Sequence, residues 1–224
     1  KTHSYKTWDL NHLNNLYTTW EEANDPEPLD GVIITGAPVE HLAFEEVKYW
    51  DEFVNITNEA RNSCASTLGL CWAGFALAYL AGVNKTVFDK KLFGVFPLKS
   101  LSPGHPLMGT QDDEFICPQS RFAGLPDLEM EEAQKDGKLN LLAYGKNVGY
   151  TIFETKDQKQ LMHLGHPEYT VHRIISEINR DKEKGDVPPP ENFDINCSNT
   201  SWRSHRNLLF QQWLWFCYQQ VSLS

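Results

Sequence analysis

Ser66-Thr67-Leu68-Gly69-Leu70-Cys71-Trp72-Ala73-Gly74 is a short apolar run that stops at a cysteine and resumes as a small-residue apolar segment through Leu80. The spacing predicts a buried strand over 66–70, a tight turn at Cys71 and a buried helix over 73–80. Strand, sharp turn, helix is the setting in which a nucleophile stands at the carboxyl end of a sheet. Gly69 permits close approach, and Ala73 and Gly74 let the helix begin without a clash. A helix N-terminus offers free N–H groups and partial positive charge, which favour a thiolate and can form an oxyanion hole, here through the Trp72 backbone. Taken alone, the same cysteine reads equally well as a packing residue, as most buried cysteines are.

A second stretch, Gly165-His166-Pro167-Glu168-Tyr169, follows the apolar run 161–164. A histidine just past a buried strand falls at the sheet edge where open α/β folds place their sites. Proline fixes the backbone, and Glu168 can turn back to hold the ring in one tautomer and stabilise its charged form. Cysteine, imidazole and carboxylate are the parts of acyl-enzyme chemistry, and the fold must bring them together. The other histidines, His3, His12, His41, His105, His163, His172 and His205, carry no such context and read as structural.

Around these two stretches, Gly31-Val32-Ile33-Ile34 reads as a buried strand bounded by glycines. Leu10, Leu13, Leu16 and Tyr17 repeat at helical spacing, and residues 43–60, 171–184 and 208–221 read as further helices. Strands are expected at 93–96, 115–117 and 161–164, with a hairpin, 139–144 and 149–154, around Gly145-Lys146-Asn147. A Pro/Gly-rich loop is expected at 102–109 and an irregular crossing at 186–201. Alternation of strands and helices implies an α/β fold with a mostly parallel sheet and helices on both faces. One domain over 1–224 is the expectation.

Bulk composition narrows the function classes. The chain has 224 residues, 41% of them hydrophobic, and a net charge of −10. That charge argues against a nucleic-acid partner, which selects a basic stripe. No apolar run approaches the ~20 residues that span a bilayer, so no membrane partner is expected. The cysteines, Cys64, Cys71, Cys117, Cys197 and Cys217, are odd in number and form no CxxC pair. They fit a reduced, cytoplasmic protein better than a disulfide framework, and their spacing offers no structural zinc site. Apart from Cys71 they read as packing residues.

Matching blocks run nearly the whole length: Asp30-Gly31-Val32-Ile33-Ile34-Thr35-Gly36-Ala37-Pro38-Val39-Glu40, Ser66-Thr67 before Cys71-Trp72, Gly94-Val95, Ser120-Arg121, Gly165 to Tyr169, and Trp202-Arg203-Ser204-His205 with Asn207-Leu208-Leu209-Phe210. In this order they resemble the homoserine O-acyltransferases of methionine biosynthesis, whose fold is like that of class I glutamine amidotransferases. The resemblance implies that Cys71 is the acylated nucleophile, His166 the general base and acid, and Glu168 its partner. It implies a substrate-binding role for Glu177 and Arg180, whose spacing of three puts both on one helix face, so that a carboxylate and a guanidinium can grip an amino acid. Without the resemblance that pair would read as a surface ion pair of little worth. Lys91 aligns with a lysine near the acyl-donor end of the site, and Ser120 and Arg121 with a polar site segment. Glu40 stands where the family is expected to carry glycine in succinyl-transferring members and glutamate in acetyl-transferring ones. A glutamate there excludes a free carboxylate and admits a methyl, so acetyl-CoA is the implied donor and succinyl-CoA the other.

The expected reaction is ping-pong acyl transfer with no metal or prosthetic cofactor, the acyl-CoA and a hydroxy-amino acid being its small-molecule partners. Dimers are common in the family. Its members usually begin earlier, with a strand and loop that this chain lacks. Phe122 replaces the usual histidine or tyrosine, and Arg206 the usual small residue after Trp-Arg-Ser-His. These departures bear on the acceptor and leave L-serine as an alternative to L-homoserine. A glutamine-hydrolysing amidotransferase and a non-catalytic homologue are the readings from other classes. Trp72 after the cysteine is unlike the first, and the complete Cys-His-Glu set argues against the second.

Overall fold

The computed structural model describes residues 9–182, 188–196 and 199–222. Among them, seven strands form one sheet in the order β1-β2-β7-β6-β5-β3-β4. The strands are β1 (Gly31–Ile34), β2 (Ser66–Leu70), β3 (Thr86–Ser100), β4 (Glu114–Gly124), β5 (Leu139–Gly145), β6 (Gly149–Thr155) and β7 (Gln160–His163). The helices are α1 (Leu10–Leu16), α2 (Trp20–Ala23), α3 (Trp50–Ser63), α4 (Trp72–Leu80), α5 (Asp127–Lys135), α6 (Val171–Lys182) and α7 (Arg203–Ser222). None among the described residues is long and apolar enough to cross a membrane.

The expected α/β arrangement is present, with a mixed sheet in place of a mostly parallel one. β1, β2 and β7 pair in parallel, while β7-β6, β6-β5, β5-β3 and β3-β4 pair antiparallel. Connections decide this. Parallel neighbours need a crossover, usually a helix, whereas β3–β4 and β5–β6 are joined by loop and turn and therefore reverse. The parallel half is the half that carries Cys71.

Helices cover both faces. On one face α4 lies unusually close to the sheet: a Cβ at Gly69 would stand 2.8 Å from Leu77 and 3.0 Å from the Ala73 backbone, and one at Gly74 would stand 3.1 Å from the Gly69 carbonyl. The helix is apolar all round because Trp72 through Ala78 are all buried. On the other face, α7 sets Trp213 and Cys217 against Gly31, and the Trp213 indole donates to Ser66 Oγ at 3.2 Å. Strand β2 is sandwiched between, with all five residues buried. Cys64, Cys117 and Cys217 are buried free thiols, as packing residues should be; Cys197 and His3 lie outside the described residues.

Three local readings differ from the sequence expectation. The helix expected over 43–60 is a 3-10 turn, Phe44–Glu46, then α3, because Val47 adopts extended backbone and ends the turn. Strands β3 and β4 run well beyond the short apolar cores that betrayed them; the charged Asp89-Lys90-Lys91 falls in an irregularity of β3 between its two registers with β4. Helix α5 carries only two buried side chains, Met130 and Ala133, too few to make an apolar stripe. The crossing segment is pinned by Glu191, which exchanges backbone hydrogen bonds with Phe93 (2.8 Å) and Val95 (2.9 Å). Gly94, at φ +151°, allows this, since a Cβ there would lie 2.2 Å from the Glu191 carbonyl oxygen.

Candidate active site

Cys71 caps the N-terminus of α4 with φ 51° and ψ −115°. An L-residue holds such a backbone only when its surroundings impose it, at a cost of about 1–3 kcal/mol. Two contacts impose it here. The Cys71 amide donates to the His163 carbonyl at 2.8 Å, and Phe75 N–H reaches back to the Cys71 carbonyl at 3.1 Å to start the helix. Gly36 makes the third wall, where a Cβ would lie 3.0 Å from Cys71 Cβ and 3.6 Å from the Trp72 nitrogen. The missing side chain leaves room beside the Trp72 amide, a first-turn donor of α4.

His166 arrives from β7 by a turn that His163 organises. The His163 ring, buried and held neutral with its pKa pulled to about 3 by burial and by the neighbouring His166 charge, accepts the Gly165 amide at 3.0 Å. The His166 amide then donates to the Pro118 carbonyl at 2.8 Å. Its Nδ1 pairs with Glu168 Oε1 at 2.7 Å, which leaves Nε2 to face the Cys71 sulfur. Burial pulls the imidazole pKa down, but the Cys71 sulfur and Glu168 outweigh it and raise the pKa to about 10. His166 also stacks on Tyr169, with centroids 4.2 Å apart and planes 23° apart.

Tyr169 links this set to a second, polar cluster. Its hydroxyl is turned towards Glu177. Lys91, read from sequence as either a donor-site lysine or a solvated charge, is buried; its ammonium donates to Glu177 Oε1 at 2.5 Å and to Asp181 Oδ2 at 2.6 Å. Ser120 Oγ donates to the same Glu177 oxygen. Arg180 reaches Glu177 at 3.1 Å and Asp181 at 3.0 Å while staying half exposed. Burial raises the Glu177 pKa, yet Lys91 and Ser120 more than offset this and hold it at about 2. Its second oxygen, Oε2, is buried without a hydrogen-bond partner.

Sequence reasoning missed Asp181, although its spacing of four from Glu177 puts it on the same helix face. Arg121, by contrast, does not join the cluster. Adjacent strand residues point to opposite faces, so with Ser120 towards Glu177, Arg121 points away. It is buried, donating to Gln119 Oε1 (3.1 Å), to the Ala123 carbonyl and to the Val148 carbonyl (2.6 Å). Burial lowers its pKa to about 10.

Glu40 lies in the loop after β1, on the same side as Cys71. The loop starts at Gly36 against the Cys71 turn and is tied down by His41, whose ring packs on Phe122 at 5.0 Å. The departure at Phe122 thus forms part of the seat of the Glu40 loop. Lys85 clamps the far end, donating to the Leu42 carbonyl at 2.6 Å and lying over the Phe44 ring at 3.9 Å, and its charge interacts with Glu40. Arg206 sits at the start of α7, where its Nε reaches Asn207 at 3.3 Å.

A thiol on a strained strand-to-helix turn, opposite an imidazole paired with a carboxylate, places this chain among α/β proteins built like glutamine amidotransferases. Solved structures agree on the fold: a glutamine amidotransferase from Thermotoga maritima superposes with TM-score 0.65 at 13% identity, covering 86% of this chain and 81% of that one. One from Methylobacillus flagellatus gives 0.63 at 11%, covering 83% and 75%. The family description for homoserine O-succinyltransferase matches residues 1–223. Relatives include a homoserine O-acetyltransferase of Bacillus subtilis, 38% identical over 98% of this chain and 74% of its own length. A homoserine O-succinyltransferase of Psychromonas ingrahamii is 37% identical over 94% and 70%. The chain belongs to this homoserine O-acyltransferase family and is an acyltransferase.

Proposed function

We propose that the protein transfers an acetyl group from acetyl-CoA to the side-chain hydroxyl of L-homoserine through a thioester on Cys71. The observation that carries this reading is the Cys71–His166–Glu168 set standing one aromatic ring away from a preformed carboxylate–guanidinium grip. In the first half-reaction the Cys71 thiolate attacks the donor carbonyl. The oxyanion faces the Trp72 amide, CoA leaves as its thiolate, and His166 supplies the proton that makes it a thiol. In the second, neutral His166 takes the proton of the acceptor hydroxyl. The oxygen attacks the acyl-thioester and Cys71 leaves as thiolate, with the proton retained on His166. Glu177 suits the acceptor ammonium, and half-exposed Arg180 suits its carboxylate. CoA release measured with acetyl- and succinyl-CoA, each crossed with L-homoserine and L-serine, tests the whole assignment. Turnover beyond one CoA per enzyme that depends on serine alone, or that continues without any acceptor, would refute it.

Glu168 holds His166 from a side chain that is 40% exposed. Glu168→Ala is expected to lower kcat/KM by roughly 10²-fold, in the range of general acid–base assistance, and to move the imidazole's titration down from about 10. A pH–rate profile of the variant checks both; an unchanged profile would reduce Glu168 to a surface carboxylate.

Donor choice is assigned to Glu40. Its repulsion of a succinyl carboxylate is softened by Lys85, so a difference of about 1–2 kcal/mol, or roughly tenfold in kcat/KM, is expected in favour of acetyl-CoA. Glu40→Gly should narrow or reverse the ratio while leaving the Cys-His-Glu set able to turn over. An unchanged donor ratio in that variant would move specificity to another residue.

A further inference from the structure

A cavity of about 350 Å³ opens between the irregular stretch of β3 and the turn joining β5 to β6. Its size falls within the usual range for small-molecule sites. Its position follows from the topology. β6 runs antiparallel to β7, so the 145–148 turn lies at the same sheet edge as His163 and the His166 turn that follows it. Lys91 of the Glu177 cluster lines the cavity, which therefore adjoins the proposed acceptor site. So do Gly124 and Val148, and the Val148 carbonyl receives the Arg121 guanidinium.

The lining has two characters. Phe88, Leu92 and Leu125 give it an apolar floor. Lys90 and Lys146 stand at the rim, both exposed, and neither forms an ion pair among the described residues. Acidic residues outnumber basic ones by 30 to 20 in this chain, so two unpaired lysines at one cavity run against the overall charge. One carboxylate, Asp127, shares the rim; it accepts the Tyr144 hydroxyl at 3.1 Å. Lysine cations over an apolar floor suit a ligand that joins phosphates to a flat ring.

We propose that this cavity holds the phosphate-bearing nucleotide end of the coenzyme A donor, with Lys90 and Lys146 as its cations. The assignment rests on the acyl-CoA reading above. Coenzyme A separates its phosphates from its thioester by the pantetheine arm, so the phosphates must bind away from Cys71 while the arm reaches it. The Glu177 cluster, with paired charges fixed at short distance, takes the small acceptor; the wider lysine-rimmed cavity takes the donor.

The test compares the wild-type chain with the double variant Lys90→Glu/Lys146→Glu. With acetyl-CoA the variant's kcat/KM is expected to fall by about tenfold at low salt, a gap that narrows as ionic strength rises. With S-acetylpantetheine, which lacks the nucleotide, wild type and variant are expected to be equal, and the KM for homoserine unchanged. Equal acetyl-CoA kinetics, or an equal loss with both donors, would overturn the proposal. Calorimetry with adenosine 3′,5′-bisphosphate gives a readout independent of catalysis: binding to wild type and at least tenfold weaker binding to the variant are expected. No binding to wild type, or equal binding to both, would overturn it. Bisphosphate binding without any acetyl transfer would instead leave the cavity assigned and sink the acyltransfer reading.

Discussion

Cys71→Ala is expected to remove acyl transfer to the limit of detection, a loss of roughly 10⁴-fold or more. The proposed route passes through a thioester on this sulfur, so no second group can carry the acyl unit. The other described thiols are poor substitutes. Burial pushes the pKa of Cys117 well above its ordinary value, that of Cys64 upward, and that of Cys217 to about 11. A thiol kept protonated is a weak nucleophile. Wild type incubated with acetyl-CoA in the absence of acceptor should gain one acetyl group, located by mass spectrometry on the peptide that contains Cys71, and the variant none. Acetylation of another cysteine together with an active alanine variant would refute the scheme.

Lys91→Met should have the largest effect on stability. The lysine is the common partner of two carboxylates, Glu177 and Asp181, that are themselves buried. Removing one member of a buried ion cluster typically costs about 3–5 kcal/mol, because the remaining charges stay desolvated and unanswered. For a chain of this size that is a fall in Tm of roughly 6–20 °C. Arg180 compensates in part but is half exposed. The pH dependence carries a sign. Glu177 is held at about 2 against an ordinary 4.5, so its contribution is complete above pH 4.5 and is lost as the pH falls from there towards 2. Methionine at 91 removes the main group that depresses this carboxyl. The gap between wild type and variant should therefore be widest near neutrality and close on acidification. Thermal melts at pH 7 and pH 3 measure it; equal Tm values at pH 7 would show that the cluster is not stabilised through Lys91.

The features legible in the sequence were those with strong local signatures. A short buried run ending at a cysteine and followed by small apolar residues marked β2 entering α4, and the His-Pro-Glu turn announced itself by its rigidity. Less legible was anything set by direction or by distant burial. Lys91 sits in a charged run, and nothing local says that its ammonium turns inward onto α6. Ser120 and Arg121 read as one polar pair; the strand's two-residue period separates them, sending one to Glu177 and the other beneath Val148 and Ala123. Mixed strand directions were missed for a similar reason. The β5–β6 turn was visible in Gly145-Lys146-Asn147, but the long β3–β4 excursion was hidden by charged residues that no short apolar window detects.

The backbone of Cys71 bears on what this position costs the fold. Glycine would adopt φ 51° and ψ −115° freely, whereas every other residue at this turn holds it under strain. Glycine there would relax the turn but give up a buried side chain that packs beside Gly36. On the proposed mechanism, fold and work pull in opposite directions at this position: the turn favours glycine and the chemistry needs the thiol.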